Sequence, residues 1–186
     1  VKNLIQSNPA QASEEAGELL KGKNKKNVDL VTSVAHVYLD AGKITEAQEY
    51  LAMAKKANNK DPKVSVLEGD IALAQKNIGQ ACQLYEQAIY FDPNCKEAYL
   101  KYAQAYKSAS PTQAIEKLEQ LKAVDPNCLE ADRELAEVYY SGNRFGKAAE
   151  MYAKFIDTPL ATEDDMLKYA FALFLNHDFE KSLQVA

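Results

Sequence analysis

A small residue returns along this 186-residue chain at a nearly fixed interval: Ser13, Ala47, Ala81, Ala114, Ala148 and Ser182, in steps of 34, 34, 33, 34 and 34 residues. Such an interval, with helical patterning between the markers, is the period of a helix–turn–helix solenoid. Other positions keep the same register. Ala35, Gly69, Ala103, Ala136 and Ala170 precede the markers by one helix and a turn, and all are small. Apolar residues, most of them large, follow the markers four and seven places on: Leu51, Tyr85, Leu118 and Tyr152, then Ala54, Ala88, Leu121 and Phe155. Spacings of three, four and seven put each set on one helical face. Small residues let two helices approach closely, and the large ones fill the space beside them.

Two segments carry a family resemblance. Tyr38–Ala47 reads as the end of one helix, a tight turn and the start of the next, and Ile89–Asn94 ends on Asp-Pro-Asn, as does Val124–Asn127. In these the chain resembles the tetratricopeptide repeat family, and the resemblance covers nearly its whole length. It implies an all-α fold: a right-handed superhelical solenoid of antiparallel helix pairs, with about five full repeats after a partial N-terminal one. Three features depart from the family pattern. The chain has no Trp, and Tyr99 alone is aromatic early in a first helix. Glu68 stands where a buried Leu is usual, so that helix is expected to be rotated or shifted. Pro111 replaces a large apolar residue.

Helix ends follow local chemistry. Asn8-Pro9 and Asp61-Pro62 read as an N-cap followed by Pro at the first helical position, where its missing N–H costs nothing. Ser110-Pro111 reads the same way, and Asn94 and Asn127 read as caps three residues before Glu97 and Glu130. Gly42 and Gly142 fall in inter-helix turns, where Gly tolerates positive φ. The expected pairs are 28–41/44–58, 62–76/78–91, 95–108/111–123, 128–141/144–157 and 163–176/178–186, preceded by a helix at 9–22. One solenoid domain over 1–186 is expected, with a partial repeat at 1–27, repeats at 28–61, 62–94, 95–127 and 128–161, and an incomplete one at 162–186. Because Val1–Ile5 lacks a cap and the last helix is apolar, the chain reads as part of a longer array.

Composition narrows the function classes. The net charge of −5 is moderate, and the one basic cluster, Lys21–Lys26, lies between helices, so nucleic-acid binding is not expected. No apolar run approaches the 18 residues of a membrane span, so insertion is not expected either. Cytoplasmic and bacterial periplasmic or envelope locations both fit. Cys82, Cys95 and Cys128 have no metal-ligand spacing, and Cys95 and Cys128 sit one repeat apart, beyond disulfide reach. Neither His36 nor His177 has a ligand partner at i+4, and no nucleophile, base and oxyanion donors converge. No catalytic residue, metal or cofactor is expected.

The resemblance implies that first helices line a groove. The positions so implied are Asp29, Thr32, His36, Leu39 and Asp40; Val66, Asp70 and Leu73; Leu100, Gln104 and Lys107; Arg133, Glu137 and Tyr140; and Leu167, Phe171 and Phe174. Of the positions that grip a C-terminal carboxylate in some family members, only Arg133 has a fitting side chain, so that mode is not expected. A groove of apolar patches flanked by acids suits an amphipathic or partly basic segment. The expected function is a non-enzymatic scaffold binding a protein or peptide. The alternatives are an assembly module that associates through its repeat ends, the apolar C-terminal end above all, and a non-catalytic arm of a larger enzyme.

Overall fold

A computed structural model describes residues 1–185; Ala186, the last residue of the helix expected at 178–186, lies outside the described residues. Regular structure among the described residues is entirely helical, and the helices form antiparallel pairs of the solenoid type. The chain divides into two compact units, Val1–Ala98 and Tyr99–Ala186. The first holds α1 (Pro9–Leu19), α2 (Val28–Asp40), α3 (Ile44–Asn58), α4 (Pro62–Ala74) and α5 (Ile78–Phe91), with short 3-10 helices at Lys2–Leu4 and Gly22–Lys26. The second begins inside α6 (Lys96–Tyr106) and continues through α7 (Pro111–Val124), α8 (Leu129–Ser141), α9 (Phe145–Tyr152), α10 (Glu163–Leu175) and α11 (Phe179–Val185).

The crossing alanines are where the period puts them. Ala47, Ala81, Ala114 and Ala148 are fully buried, as are Ala35, Ala103 and Ala136 on the paired helices. Ser182 is buried and its hydroxyl donates to the Ala170 carbonyl at 2.9 Å, tying α11 to α10. Ser13 departs from the pattern. It is exposed, and Ala12 and Ala16 are buried in its place. α1 is followed by the Gly22–Lys26 3-10 helix rather than by a tight turn, so its face is not held in the register of the later repeats.

Asn8, Asp61 and, beyond the sequence expectation, Asn27 and Asn77 cap their helices by accepting backbone N–H bonds. Thr162 and Asp165 form a reciprocal capping box on α10. Asn94 and Asn127 do not cap. Asp92 and Asp125 accept the N–H of Asn94 at 2.9 Å and of Asn127 at 3.3 Å, so each Asp-Pro-Asn closes an Asx turn and the helix starts later. Cys128 then holds the N-cap of α8 without a side-chain capping bond, and Ser110 likewise caps α7 through its backbone alone. Gly42 has φ 75°, as expected, but Gly142 is at φ −86°, and Asn143 at φ 56° makes the left-handed step instead. Lys76 (φ 63°) and His177 (φ 65°) make it at the same point of their repeats. The helix expected at 144–157 stops at Tyr152, where successive turns carry both Phe155 and Ile156 into the core.

α4 is buried on most of its circumference. Glu68 escapes by reaching Lys55 on α3 at 2.6 Å, while Leu67 takes the core position beside it. Gly69 faces the Tyr85 ring so closely that a Cβ there would lie 2.5 Å from the ring edge.

Candidate functional site

Steps of one repeat bring charged first-helix residues side by side. In the first unit, Lys63 on α4 pairs with Asp29 on α2 at 2.6 Å, and Asp70 meets His36 at 2.9 Å. Each partner stands 34 residues along the chain from the other. The imidazole of His36 faces the Thr32 carbonyl at 3.0 Å through Nδ1 and the Asp70 carboxylate through Nε2, and a ring protonated on both nitrogens donates to both. The carboxylate beside His36 is therefore Asp70 of the next repeat and not Asp40 on its own helix, which is exposed. From behind, Tyr85 on α5 donates its hydroxyl to Asp70 at 2.7 Å. Burial first, then the charge of Asp70, pushes that hydroxyl far above its ordinary pKa, so it stays a donor. Asp29, Thr32, Ser33, His36, Lys63, Val66 and Glu97 line a cleft of about 200 Å³.

The second unit repeats the device. Glu137, at the position of Asp70, accepts the Tyr152 hydroxyl at 2.9 Å, and Tyr152 stands where Tyr85 does. Lys107, just past α6, and Lys168 of α10 bind the same carboxylate at 3.2 and 2.9 Å. Gln104 donates to Glu134 at 2.7 Å. Arg133 is held by the buried Asp165 at 2.9 Å, so the one side chain suited to gripping a free carboxylate is engaged within the protein.

The other groove positions divide by burial. Thr32 and Val66 are buried although they border the cleft, and Leu39 packs against the core edge. Leu73 is exposed, Leu100 is half-buried, and Tyr140 packs edge-on to Phe145 and Tyr152. Leu167, Phe171 and Phe174 are exposed and line a separate apolar cleft of about 280 Å³ with Ala170 and Ser182. Sequence reasoning missed Ser33, Lys63 and Glu97 at the first cleft, and the braces Tyr85, Tyr152, Asp165 and Lys168. The same 34-residue step that located the alanines would have found Lys63 from Asp29. Among the described residues, no group of three or more His, Cys, Asp or Glu is arranged to hold a metal ion, and none of the three cysteines is joined in a disulfide.

The ladder has a pH signature. Burial alone would raise the Glu137 carboxyl, but the bonds from Lys168 and Tyr152 and the charge of Lys107 outweigh it and hold it below the usual range. For Asp165 burial is likewise outweighed, by the Thr162 bonds and by Arg133. A carboxylate with a lowered folded pKa contributes stability that is complete above its unfolded pKa and is lost as pH falls through the folded one. Thermal stability should therefore decline as pH drops below about 4. Glu137→Gln should be less stable at neutral pH and converge on the wild type in acid; parallel pH profiles for the two proteins would contradict this account.

A family model for the tetratricopeptide repeat matches residues 35–95 and 104–161. No curated protein matches the chain. Solved structures do. PilF of Pseudomonas aeruginosa is 16% identical with a TM-score of 0.75, over 88% of this chain and 75% of that one. A thermophilic repeat protein of Thermus thermophilus is 20% identical with a TM-score of 0.70, over 86% and 87%. YrrB, a repeat protein described as having an unusual peptide-binding site, is 13% identical with a TM-score of 0.64, over 91% and 88%. At these identities the likeness is one of fold.

Proposed function

Because the chain belongs to the tetratricopeptide repeat family, whose model spans well over half of its residues, we propose that it binds a segment of another protein along its first helices, with the Asp29–Glu97 cleft as the anchoring point. The general role, a non-enzymatic protein-interaction scaffold, goes with the family and the fold. Among the described residues no helix is long and apolar enough to cross a membrane.

The observation that carries the proposal is the cleft itself. Its rim alternates in sign, Asp29, Lys63, Glu97, with Ser33 and His36 beside them and Val66 in its lining. Rim charges of this kind set register and association rate, and the nearly buried Val66 closes the floor. The partner that fits is a segment with a basic side chain facing Asp29 or Glu97 and a small apolar side chain over Val66. YrrB offers a precedent on the same fold for a peptide site.

Selection from a random peptide library tests this. Sequences enriched on the wild type should carry Lys or Arg next to an apolar residue. Ser33→Arg, which fills the cleft from an exposed position, should weaken them about tenfold or more, equivalent to about 1.4 kcal/mol. Binders indifferent to Ser33→Arg would remove the cleft from the proposal.

A further inference from the structure

His36 stands on α2 with an acceptor at each ring nitrogen. Nδ1 faces the Thr32 carbonyl at 3.0 Å and Nε2 the Asp70 carboxylate at 2.9 Å. Only an imidazolium has an N–H for both. A neutral ring has one, and its second nitrogen then meets an acceptor lone pair to lone pair. Neither acceptor can turn away. Thr32 offers a carbonyl of the helix backbone, and buried Asp70 has its other oxygen held by the Tyr85 hydroxyl at 2.7 Å. Loss of the ring proton must therefore be answered by the ring itself, whose side chain is 31% exposed.

That side chain also lines the cleft. Among the lining groups, Asp29 of α2 and Glu97 of α6 bring negative charge, while Lys63 of α4 and a protonated His36 bring positive charge. With the imidazolium in place the lining is electrically balanced; with a neutral ring it carries one net negative charge. Lys63 keeps its own charge throughout, because the bond to Asp29 holds it above its ordinary range. Burial and the Asp70 charge keep the proton on Tyr85 behind the pair. Histidine is the side chain that ordinarily changes charge between about pH 5 and 8. His36 is the only histidine of the cleft, since the other, His177, belongs to the second unit.

We propose that the cleft exchanges a proton for its ligand: a basic side chain seated against Asp29 or Glu97 prefers the neutral ring, and its arrival expels the proton from His36. This inference rests on the peptide-binding reading of the cleft and adds its regulation. The sign follows from charge. A ligand cation and an imidazolium in one cleft of about 200 Å³ repel each other, so protonation weakens the complex. By reciprocity the ligand lowers the pH at which the ring titrates. A segment with an acidic anchor would do the reverse.

Calorimetry and NMR on the whole chain test it. The probe is an acetylated, amidated peptide selected on the wild type at about pH 8.5, with one Lys beside an apolar residue and no other ionisable group, so that it does not itself titrate in this range. Its affinity by isothermal titration calorimetry should fall about fivefold from about pH 8.5 to about pH 5.5, the order expected of one unit charge nearby at a half-exposed site. In nitrogen-15 NMR, saturating peptide should move the His36 midpoint down by about 0.7 pH unit, the same fivefold factor read from the ring, and leave His177 where it was. His36→Gln should bind with an affinity that no longer changes over this range. Should that variant melt early by circular dichroism, the ring midpoint of the wild type decides alone. Equal affinity at both pH values, a His36 midpoint that the peptide does not move, or tighter binding in acid overturns the linkage and leaves the peptide cleft standing. If no peptide is retained at any pH, or if binders ignore Ser33→Arg, the cleft reading fails and the linkage falls with it.

Discussion

Gly69→Ala should destabilise the protein by about 2–4 kcal/mol, although it replaces a helix-interior glycine with the best helix former. On propensity alone the change is favourable by about 1 kcal/mol. Sterics reverse it. The new methyl would stand 2.5 Å from Cε1 and 2.8 Å from Cδ1 of Tyr85, a distance no relaxed carbon pair holds. The ring has no free space, because Tyr85 is fully buried, and its hydroxyl is fixed on Asp70 at 2.7 Å. Moving the ring therefore strains that bond as well as the packing, and a hydrogen bond to a buried carboxylate contributes more than a neutral one. The test is a double-mutant cycle in chemical denaturation. In a Tyr85→Leu background the obstacle is gone, so Gly69→Ala should become neutral or stabilising. A cost that persists unchanged in that background would show that Gly69 matters for some reason other than the ring.

Gly69 also marks the division between what the sequence shows and what it hides. Periodicity alone makes it a small residue at a helix crossing, as it does Ala47, Ala81, Ala114 and Ala148, because a crossing requires the same thing in every repeat. Caps at Asn8 and Asp61 are legible because they depend on two or three adjacent residues. Asn94 and Asn127 mislead for the same local reason: Asp92 and Asp125 accept the N–H groups of Asn94 and Asn127 themselves and close a turn ahead of the helix. Ser13 misleads because a period assumes equal connections, and α1 has an unlike one. Among the groove positions, the sequence places His36, Arg133 and Glu137 on a face without saying which side chain will reach them. Their partners Asp70, Asp165 and Lys168 lie about one repeat away, and only the lateral offset of neighbouring helices decides which of several acids and lysines meet. Long flexible side chains make that offset unreadable from spacing, whereas buried alanines do not.

The other large effect concerns a charge that nothing in the repeat pattern singles out. Asp132 on α8 is a fully buried carboxylate, held by Lys122 of α7 at 2.7 Å and by Lys154, just beyond α9, at 3.3 Å. The pairing is lopsided, since both ammonium groups retain contact with water and the carboxylate has almost none. Removing the acid should therefore be the milder change. In Asp132→Asn the lysines turn outward and solvate, at a cost of about 1–2 kcal/mol for the lost charge-assisted bonds. Lys122→Met with Lys154→Met should be the severe one, at about 3 kcal/mol or more, because it strands a buried charge. Adding Asp132→Asn to the double-lysine variant should therefore restore most of the lost stability at neutral pH. If the lysine substitutions prove as mild as Asp132→Asn, or if Asp132→Asn does not rescue them, the carboxylate is better solvated than its burial says and does not join α8 to the two lysines.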